Sequence, residues 1–198
     1  RLIFGFVLPR SYNLQFFTPA YHDEICKAIL IYDFLDKPTM TKFIRKKSGI
    51  NNWGLFAGQD FKKGDKVIEY KGKKYTHKQV EEDDRFDNSK AIYLFTLNKK
   101  TVLDGDTKSN TAKYINHTCD PNCEVDIIRG KIWILAIQDI KKGDELSYDY
   151  GFGYDEDYKQ FRCKCGSKNC CGYIVRDDQR WRINRKFAKT KKARIKRV

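Results

Sequence analysis

From Thr41 onward the chain is cut into short pieces, and that punctuation limits what it can become. Runs rich in β-branched and aromatic residues alternate with Gly, Asn and Asp: Gly54–Ala57, Lys66–Tyr70, Ala91–Leu97, Thr101–Leu103, Glu124–Ile128, Ile132–Ile137 and Glu145–Tyr148. Such runs read as strands bounded by turns. Only Thr76–Asp84 and Thr111–Tyr114 read as short helices. The expected fold class is therefore mostly β with short helices, built of small curved sheets. The four-residue string KKGD occurs twice, at Lys62–Asp65 and Lys141–Asp144. Each copy is a turn preceding a strand, so it is read as shared turn chemistry rather than an internal repeat.

The flanks differ in texture. Residues 1–40 are aromatic-rich, with helical spacing only at Ile25, Ala28, Ile29, Tyr32 and Leu35. They are read as an N-terminal extension of unknown role, and the opening Arg1 as the cut end of something longer. Lys and Arg outnumber Asp and Glu 40 to 26, a net charge of +14. The segment from Arg176 to Val198 supplies most of that excess, so basicity is local. Polyanions are the expected partners of such a tail. No apolar run reaches the roughly 18 residues a membrane span needs, and a membrane role is not expected.

Six of the seven cysteines lie between Cys119 and Cys171. Clustering of this kind fits metal binding in a reducing compartment better than a disulfide framework. Cys163, Cys165 and Cys170 form C-x-C-x4-C, three thiolates able to face one ion. Tetrahedral zinc wants a fourth ligand, and a four-thiolate site is closed and structural. Cys171 is a poor fourth, because adjacent side chains diverge. Cys119 and Cys123, in NHTCDPNC, are both better placed.

Two further segments carry chemistry-bearing residues. YINHTCDPN (Tyr114–Asn122) gathers Asn, His, Asp and Pro, and ELSYDYGFGY (Glu145–Tyr154) holds three tyrosines. Taken alone, His117 could be a satisfied structural histidine, and Tyr148 and Tyr150 could be one face of a strand. Together with CKCGSKNCCGYI they occur in the order seen in SET-domain lysine methyltransferases with a post-SET zinc motif, and the chain resembles that family over about residues 41–175. SGINNWGLFA resembles the family's first cofactor segment, VIEYKGKKYT its second strand motif, and YLFTL and VLDGDTKSNTAKYINHTC the elements that follow.

The resemblance implies a SET-domain fold with a C-terminal pseudoknot and a zinc-bound post-SET segment. It divides the chain into the extension at 1–40, a SET domain at 41–154, a post-SET zinc segment at 155–175 and a basic tail at 176–198. It implies S-adenosyl-L-methionine as methyl donor, with Trp53, Gly54, Tyr93, Asn116 and His117 binding it and Tyr173 covering its adenine. Asn52 stands where the family carries the first glycine of G-x-G. Asn tolerates a left-handed backbone better than other side chains, so the turn can survive. Tyr150 matches the tyrosine beside the transferred methyl, Tyr148 the Phe/Tyr position that limits product methylation, and Tyr70 a residue lining the lysine channel. Cys119 matches the fourth zinc ligand, leaving Cys123 and Cys171 spare. The implied substrate is a histone tail or another basic protein in the nucleus.

The implied reaction is an in-line displacement. A neutral lysine amine attacks the methyl carbon, and the sulfur leaves as a thioether. Neutralising an ordinary lysine of pKa about 10.4 at pH 7 costs roughly 4.6 kcal/mol. Desolvation in a tyrosine-lined channel and repulsion by the sulfonium both lower that pKa, so no histidine base is assigned. A hydroxyl at Tyr148 favours mono- or dimethylation. Two acidic stretches, Glu81–Asp87 and Asp155–Asp157, suit a basic peptide, the first by its position beside the family's substrate groove. The basic tail suits nucleosomal DNA. A catalytically silent SET module that binds chromatin, and a zinc-dependent nucleic-acid-binding protein, are the competing readings.

Overall fold

The computed structural model describes residues 41–86 and 93–187. The helical spacing before Met40, part of the Ala91–Leu97 run, Asp87 and the end of the basic tail lie outside the described residues. Within them, ten short strands form four small sheets. The strands are β1 (Phe43–Lys47), β2 (Trp53–Ala57), β3 (Lys66–Tyr70), β4 (Lys73–Thr76), β5 (Leu94–Asn98), β6 (Thr101–Asp104), β7 (Asn116–His117), β8 (Cys123–Ile128), β9 (Lys131–Ala136) and β10 (Ser147–Tyr148). Three sheets are antiparallel: β1–β2, β3–β9–β8 and β4–β6–β5. The fourth is the parallel pair β7–β10.

The mostly β expectation is borne out. β1, β4 and β7 fall outside the runs read as strands, and their sequences say why. FIRKK and KKYT are dominated by cations, and Asn116–His117 is a two-residue element that carries no pattern of its own. Of the Thr76–Asp84 helix only α1 (His77–Glu81) forms. Thr76 caps it, its hydroxyl accepting from the Gln79 N–H while the Gln79 side chain accepts from the Thr76 N–H, a capping box. No residue of α1 is buried, so nothing extends it past that first turn. Thr111–Tyr114 is a 3-10 turn.

The core is assembled from alternating faces. β9 is a central strand whose Ile132, Ile134 and Ala136 point inward, packing with Leu55, Val67, Ile115, Ile140 and Leu146. The two KKGD turns are built alike, with Gly64 and Gly143 at φ of +91° and +97°. In each, the aspartate accepts from the backbone N–H of the first lysine. They also face each other. Phe61 bridges Ile140, Lys62 Nζ pairs with Asp139 at 2.8 Å, and Lys141 Nζ pairs with Asp60 at 2.9 Å. Shared turn chemistry is thus joined by a reciprocal contact.

After the second turn the chain returns to β2. Glu145 bridges Phe56, the Leu146 N–H donates to the Leu55 carbonyl, and β10 then runs alongside β7 with Ser147 opposite Asn116 and Tyr148 opposite His117. This parallel pairing brings the two chemistry-bearing segments together. No helix among the described residues is long and apolar enough to cross a membrane.

Candidate active site

Asn116 and His117 are buried on β7. The carboxamide nitrogen of Asn116 donates to the carbonyls of Asn51 (3.3 Å) and Trp53 (3.1 Å) and to Glu145 Oε1 (3.0 Å). The same carboxylate oxygen accepts the Ser48 hydroxyl at 2.7 Å. Gly54 leaves room for this junction, because a Cβ there would strike Glu145 and Ser48. Asn52 has φ of +37°, the left-handed backbone expected for an asparagine in place of glycine.

Tyr150 is anchored at both ends. Its hydroxyl donates to the Ile115 carbonyl at 3.0 Å, and its N–H donates to His117 Nδ1 at 3.2 Å. Nδ1 therefore holds the lone pair and Nε2 the proton. Nε2 lies 3.5 Å from Cys119 Sγ, where that proton can face the sulfur. Asp149 Oδ1 is 3.7 Å from Nδ1, too long for a hydrogen bond. Both ring nitrogens of His117 are engaged, and neither is placed to take a proton from a substrate.

The Tyr150 ring packs on Tyr148 with centroids 4.9 Å apart, Tyr148 on Phe95 at 5.9 Å, and Phe95 on Tyr70 at 4.5 Å. Tyr70 is held by its hydroxyl to the Tyr93 carbonyl at 3.1 Å. A side chain at Gly105 would collide with the Tyr70 ring. Burial pushes the phenols of Tyr70, Tyr148 and Tyr150 above their ordinary range. All three are neutral at physiological pH.

A cleft of about 310 Å³ opens against these elements, lined among others by Asn51, Asn116, His117, Tyr150, Phe161 and Cys163. The Trp53 ring is outside that lining. It is 41% exposed and lies under Arg45 and Lys47, at 5.0 and 4.6 Å. Tyr173 packs edge-on against Tyr158 at 5.0 Å and pairs with Arg162, which lines the cleft.

The structure brings Cys119, Cys163, Cys165 and Cys170 together, every sulfur within 4.8 Å of the others. The Cys119 and Cys163 sulfurs are 3.9 Å apart. A tetrahedron with Zn–S bonds of about 2.3 Å has edges of about 3.8 Å, so the donor set and spacing fit zinc. Hydrogen bonding between Cys119 and Cys163 raises the first thiol and holds the second well below the usual thiol range. Burial opposes ionisation of Cys165, but the Ser167 hydroxyl and the N–H groups of Cys119 and Ser167 outweigh it and lower its pKa. Cys123 belongs to the core, fully buried on β8, where burial pushes its thiol up to about 12. Cys171 points at the Tyr173 carbonyl. Of the two open choices for fourth ligand, the geometry takes Cys119.

Four residues with central contacts carried no signal of their own in the sequence reading. Glu145 joins β1–β2 to β7. Asn122 ties the same region, its side chain bonding the Glu145 carbonyl (2.8 Å) and the Ser147 N–H (2.9 Å). Phe95 links Tyr70 to Tyr148. Arg180 is 1% exposed and bonded on every side. Glu145, Asn122 and Phe95 sit inside ELSYDYGFGY, YINHTCDPN and YLFTL, where polarity or aromaticity is the only hint of their role. Arg180 looked like one tail cation among many.

Small sheets around a parallel β7–β10 pair, with Tyr150 beside an Asn–His strand and four clustered thiols, define a class, and the family comparison agrees. The SET domain family matches residues 52–151, and the chain belongs to it. Among curated proteins, it is 36% identical over 136 residues to "Histone-lysine N-methyltransferase, H3 lysine-4 specific" of Aspergillus oryzae, covering 65% of this chain and 11% of that protein. It is 37% identical over 136 residues to the protein of that name in Saccharomyces cerevisiae, covering 65% of this chain and 13% of that one. It is 35% identical over 148 residues to "Histone-lysine N-methyltransferase ASHH2" of Arabidopsis thaliana, covering 71% and 8%. The chain thus spans about a tenth of the length of these relatives.

Proposed function

We propose that this chain is an S-adenosyl-L-methionine-dependent protein-lysine N-methyltransferase acting on a histone lysine. One observation carries the reading: Tyr150 belongs at once to the polar cleft and to the aromatic cluster of Tyr148, Phe95 and Tyr70. A donor in the cleft and an amine among the phenols would meet at that residue.

S-adenosyl-L-methionine, when bound, supplies an electrophilic methyl group on a sulfonium. Asn116 and His117 would hold it from β7, with Asn51 and Phe161 completing the walls. Gly54 acts indirectly, by leaving space for Glu145. Trp53 contributes its carbonyl to the Asn116 junction, Tyr93 supports Tyr70, and Tyr173 supports the wall through Arg162. On the other side, the buried rings of Tyr70 and Tyr148 would give an entering amine a water-poor lining that favours its neutral form. Their hydroxyls are neutral donors and acceptors, suited to orient the amine rather than deprotonate it. The remaining acceleration comes from alignment. The proton lost by the lysine goes to water.

Zinc held by Cys119, Cys163, Cys165 and Cys170 would be structural, since four thiolates leave no open position. It would tie the segment carrying Phe161 and Ile174 to the end of β7. Histone H3 is the first substrate to test, because two of the relatives above are named for its lysine 4, and chromatin is the corresponding location. We also assign the segment Arg176–Val198 to nucleosomal DNA, although Arg180 is buried and cannot serve there. Strong salt dependence of nucleosome binding, lost on deleting the residues after Phe187, would support this contact.

The test is incubation of the zinc-loaded chain with labelled S-adenosyl-L-methionine and nucleosomes, followed by mass spectrometry of the histones. Label on a lysine supports the reading. Tight nucleosome binding with no transfer to any histone would instead make the chain a silent chromatin-binding module.

A further inference from the structure

We propose that Arg180 is a positioning residue for methyl transfer, joining the segment that follows the cysteines to both the metal loop and the Tyr150 segment. The inference rests on the methyltransferase reading above and names a residue outside the matched SET region that the reaction needs.

A buried guanidinium must satisfy five N–H donors or carry a large desolvation cost. Arg180 makes four such bonds by reaching three separate parts of the chain. Nε donates to the Val175 carbonyl at 2.9 Å. Nη1 donates to the Cys119 carbonyl at 2.9 Å and to Asp177 at 3.3 Å. Nη2 donates to Asp149 Oδ2 at 2.6 Å. Two of these partners adjoin the site. Cys119 is one of the four clustered thiols and receives the His117 contact, while Asp149 precedes Tyr150 directly. The Asp149 carboxylate also accepts the N–H groups of Gly151 (3.0 Å) and Asp177 (3.2 Å), so it clamps the chain on both sides of Tyr150 to the C-terminal turn.

The consequence is a closed circuit. His117 joins Cys119 to the Tyr150 backbone from inside, and Arg180 joins Cys119 to Asp149 from the other side. With both links made, the metal loop, the Tyr150 segment and the segment 175–180 hold one spacing. Without Arg180 the Asp149 carboxylate loses its buried countercharge and keeps only the Gly151 and Asp177 N–H groups, and the link from the Tyr150 segment to Cys119 runs through His117 alone. The cleft would still form, but Tyr150, still bonded to His117 and the Ile115 carbonyl, would be held against it less firmly.

The experiment uses the full chain, zinc-loaded, with Arg180→Lys and Arg180→Met, and Asp149→Asn alone and combined with Arg180→Met. Zinc content, amide hydrogen exchange and steady-state kinetics are measured well below the melting temperature. We expect Arg180→Met to keep its zinc and to exchange faster at Tyr150, Gly151 and Asp177, with β9 unchanged. Its kcat/KM for the cofactor should fall about tenfold or more, the size of one lost charge-assisted hydrogen bond. Arg180→Lys should recover part of that loss. The double variant should be scarcely worse than either single one, because both break the same link. Wild-type kcat/KM in Arg180→Met overturns the inference, as does a loss matched by zinc release or by faster exchange throughout β9. Fully additive losses overturn it as well. A wild-type chain that transfers no methyl group overturns the methyltransferase reading and this inference together, whereas an active wild type with an equally active Arg180→Met overturns the inference alone.

Discussion

Replacing Tyr150 by phenylalanine removes one oxygen and separates the stability role of that residue from its chemical one. The ring keeps its neighbours, His117 at 5.3 Å, Tyr148 at 4.9 Å and Phe152 at 5.9 Å. What disappears is the 3.0 Å hydrogen bond to the Ile115 carbonyl. A typical intramolecular hydrogen bond contributes about 1 kcal/mol net, and a carbonyl left unsatisfied costs about 1–3 kcal/mol. For a chain of this size a loss of that order lowers Tm by about 2–12 °C. If the hydroxyl also orients the reacting groups, the effect on rate is larger. Removing one preorganised polar group from a transition-state site costs about 100- to 1000-fold. The assay is single-turnover transfer of labelled methyl to nucleosomes at 20 °C below the variant's own Tm, with zinc content checked. A Tyr150→Phe variant within threefold of wild type would refute the placement of this phenol at the reacting centre, however well the fold survived.

Other consequences are equally open to measurement. Stripping the metal with a strong chelator, or replacing Cys170 by serine, should release zinc and abolish methylation by melting Arg162–Val175, since a structural zinc site contributes on the order of 10 kcal/mol; full activity in metal-free protein would show that the ion is not coupled to the site. Tyr148→Phe should leave stability nearly unchanged and move the product towards trimethyllysine, read by mass spectrometry, and an unchanged product distribution would remove this hydroxyl from product control. The buried phenols of Tyr70, Tyr148 and Tyr150 have folded pKa values raised above the unfolded value near 10, so the folded state keeps protons that the unfolded state releases. Their contribution to stability is intact below pH 10 and is lost as pH rises above it, at about 1.4 kcal/mol per pH unit for each phenol. Urea melts at pH 9, 10 and 11 should show this decline lessened in Tyr70→Phe, and an identical pH slope in that variant would contradict the burial argument.

Much of the chemistry was legible because it is local. Cys163, Cys165 and Cys170 lie within eight residues, so their shared spacing shows in a linear reading. The KKGD turns, the alternation of β9 and the left-handed Asn52 are likewise properties of a few adjacent residues, where backbone sterics and side-chain period decide the outcome. Acidic and basic stretches were legible only as totals. Asp83 turns out to be paired with Arg85 at 2.6 Å, and Arg176 with Asp178 at 2.6 Å, so part of each apparent field is compensated locally.

By itself the sequence determined a chain of short strands, three closely spaced thiols with Cys119 implied as their fourth by the family resemblance, and two motif segments of SET type, because these depend on residue type and near-neighbour spacing. Tertiary structure alone decided that Cys123 turns into the core, that Glu145 receives Ser48 and Asn116 across the molecule, and that Arg180 leaves the solvated tail to bind Cys119 and Asp149. Each of those choices is made between residues dozens of positions apart. They exist only once the parallel β7–β10 pair has closed, when burial leaves each polar group a single set of partners within reach.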